Sequence, residues 1–113
     1  MEMVYTIVGL FAFAALLGII LISFVFRGKT PPKPLAILHG LVGATALVLL
    51  VVHTINDNRI YITAIVIFTL AALGGLVLVA RHLSGKPIPK GLAVIHGLAA
   101  ITGYIILLVN AFG

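Results

Sequence analysis

Cysteine is absent from this 113-residue chain, which excludes disulfides, thiolate metal cages, iron–sulfur ligation and covalent attachment of a prosthetic group through a Cys-x-x-Cys-His run. Charge is scarce as well: Lys and Arg number 7 and Asp and Glu only 2. No glycine-rich phosphate cradle and no nucleophile–base–acid arrangement can be picked out, which leaves soluble hydrolases and nucleotide-binding enzymes without support. What fills the chain instead is hydrocarbon. Hydrophobic residues make up 63% and the mean hydropathy is +1.36, against roughly 45–50% apolar residues in an ordinary soluble domain.

The charged residues all fall outside four apolar runs, the third of which ends at Ala80 just before Arg81, as expected where an unpaired charge in hydrocarbon costs several kcal/mol. The runs predict helices over 3–26, 34–55, 60–83 and 91–112, each near the roughly 20 residues that cross about 30 Å of lipid. Helices rather than strands are expected, because the runs are too long for barrel strands and do not alternate. A secretion signal would have a basic start and a small-residue cleavage site, whereas the first run begins after Glu2, so it is read as a retained helix.

Arg27, Lys29 and Lys33 occupy the first connection and Arg81, Lys86 and Lys90 the third, while the second holds Asp57 and Arg59. The positive-inside rule puts the basic loops 27–33 and 81–90 on the cytoplasmic side and both termini on the other, which in a bacterial inner membrane is the periplasm. The formal net charge of +5 is then explained by topology and lipid headgroups, with no nucleic-acid partner expected.

The segment 28–52 aligns without a gap to 85–109, with 12 of 25 positions identical at an offset of 57 residues. The identities include Gly28/Gly85, Lys33/Lys90, His39/His96 and Thr45/Thr102, and Gly18 and Gly75 correspond in the preceding helices, where Gly74 adds another notch. A repeat with an even number of crossings gives two hairpins of like orientation related by an axis along the membrane normal. Pro31, Pro32 and Pro34 stiffen the first connection, and Pro87 and Pro89 the third. The predicted fold is therefore a single all-α transmembrane domain spanning 1–113, an up-down-up-down four-helix bundle of two tandem parallel-repeat hairpins, with the second and fourth helices diagonally opposite.

His39 and His96 begin about one and a half turns inside those two helices, in spans without any charge, and neutral imidazole is a good ligand for iron. His39, Gly43, Ala46, Leu50 and His53 share one helix face, as do His96, Ala100, Gly103, Leu107 and Asn110. Small residues on such faces serve helix packing in any membrane bundle, and beside a ligand they also leave room for a porphyrin edge. Gly40, Gly97, Gly43 and Gly103 are the candidates. His82, at the end of the third helix, is placed at the interface beside Arg81, where it could bond a haem propionate or replace a ligand. Thr45 and Thr102 are expected to satisfy their own backbones. A zinc site has no Asp, Glu or Cys in the spans to complete it and would need His82 as a third donor.

In general architecture the histidine pair resembles the membrane b-type cytochromes, which hold haem between histidines on different helices and pass single electrons between quinols or small reductants and an acceptor. The resemblance implies haem b with His39 and His96 as axial ligands. His53 is matched by Asn110, which breaks the four-ligand pattern of the two-haem members. One centre in one half of the bilayer points to a quinone, a homo-oligomer or a larger membrane redox complex as partner, and to an electron-transfer or accessory protein rather than a self-contained enzyme. The competing readings are a non-catalytic scaffold subunit, built on helix faces rich in Gly and Ala, and an oligomeric path for protons or small solutes.

Overall fold

The computed structural model describes residues 2–56 and 59–113. Within them the chain forms α1 (Glu2–Phe26), α2 (Lys33–Asn56), α3 (Ile62–Leu83) and α4 (Lys90–Phe112), with a single 3-10 turn, Arg59–Tyr61, leading into α3. The expected helix ends fall within a residue or two, except that the third begins as this turn. All four helices are long and apolar enough to cross a membrane. The bundle measures 42 × 22 × 19 Å, against roughly 40–45 Å for a bilayer with its headgroup regions. Asp57, in the second connection, lies outside the described residues.

α1 and α3 both end on the same backbone device. Gly28 and Gly85 take φ of 70° and 72°, a left-handed conformation that costs a side-chain-bearing residue roughly 1–2 kcal/mol. Their N–H groups donate to Val25 and His82, and the following N–H groups of Lys29 and Lys86 donate to Phe24 and Arg81 at 2.9 Å each. This paired pattern is the Schellman cap, and the prolines behind it stop the helix from resuming at once. Arg27 and Arg81 stay local: Arg27 Nε donates to Ser23 O at 3.1 Å, and Arg81 Nε to Pro87 O at 2.9 Å.

The helices form a ring in which α1 packs on α2, α2 on α3, α3 on α4 and α4 on α1. Among the described residues the diagonal pairs make no close backbone contact, and each meets through one pair of rings. Phe11 of α1 and Phe68 of α3 stack at 4.0 Å between centroids and 5° between planes. They belong to a buried core with Val4, Ile7, Ala46, Leu50, Tyr61, Ala64 and Leu107, which lies away from the basic connections. Tyr104 braces it, its hydroxyl donating to Val8 O at 3.1 Å. Large apolar side chains such as Leu16, Ile19, Leu41, Val48, Leu70, Leu76, Ile95 and Ile105 point outward, a surface suited to lipid and too greasy for water.

Candidate functional site

The second diagonal, α2 to α4, is bridged by His39 and His96, whose ring centroids stand 6.1 Å apart with planes at 88°. Each imidazole is fixed by a bond to the helix beside it. His39 Nδ1–H donates to Ala14 O at 2.8 Å, and His96 Nδ1–H to Ala71 O at 2.7 Å. A carbonyl oxygen can only accept, so Nδ1 must carry the hydrogen in both rings. In the neutral imidazole that leaves Nε2 with its lone pair, which is how metal-binding histidines are set by a backbone carbonyl behind them.

Room for the rings comes from the neighbouring helices. A Cβ placed on Gly18 would sit 3.1 Å from His39 Cε1, and one on Gly75 would sit 3.0 Å from His96 Cε1; Gly74 faces the Cβ of His96 at 3.7 Å. The glycines named from the histidines' own helices have other surroundings. Gly103 lies against the Phe68 ring, 3.2 Å from where its Cβ would be, so its smallness serves the phenylalanine stack. Gly40, Gly97 and Gly43 have nothing within 4 Å of a built Cβ. Alanine at Gly40 or Gly97 is therefore expected to be accepted, with up to about 1 kcal/mol of added helix preference. Thermal denaturation in detergent reads that outcome.

His82, expected at the interface beside Arg81, stands in the last turn of α3 at the basic end of the bundle. It is only 5% exposed, and its Nε2 is enclosed without a hydrogen-bond partner. It does not join the other two: among the described residues no group of three or more His, Asp or Glu could hold a metal ion. Arg81 is engaged with Pro87 O. His53 packs on Tyr61 at 5.6 Å between ring centroids, and Asn110 Nδ2 donates to Ile60 O at 2.9 Å, so the matched pair His53/Asn110 pins the entry of α3. Thr45 and Thr102 donate to Leu41 O and Leu98 O, each at 2.8 Å, satisfying their own helices as expected.

Three contributors were missing from the sequence reading. The acceptors Ala14 and Ala71 are themselves 57 residues apart, as are Phe11 and Phe68. Carrying the alignment back into α1 and α3 would have flagged these positions, although the role of a backbone carbonyl leaves no mark in residue type. The third is the burial of His82, whose counterpart is Val25. No protein-family model, no curated protein and no solved structure matches this chain.

Proposed function

We propose that the chain is a small b-type membrane cytochrome, or the haem-binding electron-transfer subunit of a larger complex, with His39 and His96 as the axial ligands. The observation that carries this reading is the ring separation of 6.1 Å. Each ring donates its Nδ1 hydrogen to a backbone carbonyl and keeps the lone pair of Nε2, so a metal between the two helices could take one nitrogen from each. The donor set also suits a macrocycle better than a bare ion. A tetrahedral zinc site asks for at least three protein donors, whereas a porphyrin brings four of its own and asks the protein for two.

When bound, haem b supplies a one-electron ferric–ferrous couple. The protein's part is orientation and basicity. Ala14 O and Ala71 O hold the Nδ1 hydrogens, which aims Nε2 and strengthens it as a donor. Gly18 and Gly75 let the rings stand inside the bundle.

The same reading makes the two hairpins tandem repeats in an up-down-up-down bundle, related by an axis along the membrane normal. The basic connections face the cytoplasm, both termini face the periplasm, and the membrane is a bacterial inner membrane. A single centre spans only part of about 30 Å of hydrocarbon, so a quinone or a redox partner subunit completes the electron path. The scaffold reading draws on the open sides of Gly40 and Gly97, where another helix could approach.

The reduced-minus-oxidised absorption spectrum of the purified protein separates the two. Sharp haem bands, with about one haem per chain, are expected. A featureless spectrum after expression with ample haem supply would leave the scaffold reading in possession.

A further inference from the structure

Beyond the histidine pair, the basic end of the bundle holds a groove of about 570 Å3 between its two connections. Its lining comes from both halves at matching positions: Lys29 with Lys86, Lys33 with Lys90, Gly28 with Gly85, and Val25 with His82. Four lysines therefore line one space, and no carboxylate is among the lining residues. α2 starts at Lys33 and α4 at Lys90, so two helix N-termini, the positive ends of their dipoles, open there as well. α4 has Pro89 at its N-cap and no side-chain cap, and Pro32 before α2 offers no side-chain acceptor either, so first-turn N–H donors stay unclaimed by side chains.

His82 is the independent pointer to a ligand. It forms part of the groove wall, is 5% exposed, and keeps an Nε2 without a partner. Buried polar atoms are nearly always paired, and one left alone is costly. Four lysines and two helix starts share one complement, an oxyanion with several acceptor oxygens, and the unpaired imidazole nitrogen lies within the wall beside them.

We infer that this groove binds a phosphate-bearing anion, and that at the mouth of a membrane bundle the phosphate is the phosphodiester of an anionic phospholipid. Basic pockets between membrane helices bind such headgroups by the same charge pairing. The lipid's acyl chains lie along the apolar helix surface while the headgroup lies between the connections. None of these residues touches the His39–His96 pair, so the inference stands or falls independently of haem.

The test is native mass spectrometry of the whole protein released from nanodiscs of phosphatidylcholine with one-fifth phosphatidylglycerol. Wild-type protein is expected to retain phosphatidylglycerol, and Lys33→Gln with Lys90→Gln to bind it about 30-fold more weakly, roughly fivefold for each lysine. His82→Phe, which fills the space but has no nitrogen, is expected to lose retention, while circular dichroism shows the helices intact. Arg27→Gln removes a positive charge at the same end but outside the groove, and is expected to leave retention unchanged. A loss of about fivefold in Arg27→Gln, the same per charge as in the double lysine variant, would overturn the inference, since retention would then follow net charge alone. Displacement of the lipid by millimolar inorganic phosphate would overturn the lipid assignment in favour of free phosphate.

Discussion

Valine at Gly75 is expected to push the His96 ring out of its seat and, with it, to abolish the paired arrangement of the two imidazoles. A Cβ there would already lie 3.0 Å from His96 Cε1, and valine adds two γ-carbons beyond it. Overpacking of this kind costs about 1–3 kcal/mol, and loss of the bond to Ala71 O adds about 1–3 kcal/mol if Nδ1 is left unpaired. Gly18→Val is expected to do the same to His39 through the contact at 3.1 Å. Under the haem proposal, either variant should lower haem content at least tenfold at unchanged expression. Gly9→Ala is the matched control: nothing lies within 4 Å of its built Cβ, and its haem content should equal that of the wild type. A Gly75→Val variant with full occupancy would mean that the seat is not tight.

The second large effect is expected in the other ring pair. Phe68→Ala removes the stacking partner of Phe11 at 4.0 Å and opens a hole against Gly103 within the buried core. Truncating a buried phenylalanine costs about 3 kcal/mol or more. In lipid the cavity and lost packing carry most of that, because the unfolded helices already sit in an apolar solvent. Reversible unfolding in mixed detergent micelles should record the loss, and Phe68→Leu should recover part of it. Because the stack and the histidine pair occupy different diagonals, the variant that remains folded should keep whatever chromophore His39 and His96 hold. Loss of stability together with loss of the chromophore in the folded fraction would show that the two ring pairs are one unit.

The four spans were legible because lipid permits little else: runs free of charge, each bounded by Lys, Arg, Pro or Gly, can only close their backbone bonds internally. The histidine pair was legible for a different reason. Repetition at a 57-residue offset singled out His39 and His96 among four histidines, and these two meet ring to ring. The glycines show where reading by helix face stops. Gly43 and Gly103 lie on the same faces as the histidines, yet the close neighbours of the rings are Gly18 and Gly75 on the adjoining helices, because an imidazole reaches across to the next helix. His82 was placed at the interface from its position near a helix end. Residues of both connections line one groove with it, and no periodicity within α3 encodes that.

Replacing His39 or His96 singly by glycine and supplying free imidazole tests the haem-ligand proposal most directly. The reduced-minus-oxidised bands of the wild type should vanish in each variant, return on addition of millimolar imidazole, and persist untouched in His53→Gly. Bands that survive in both His39→Gly and His96→Gly without imidazole would place the ligands elsewhere and contradict the proposal.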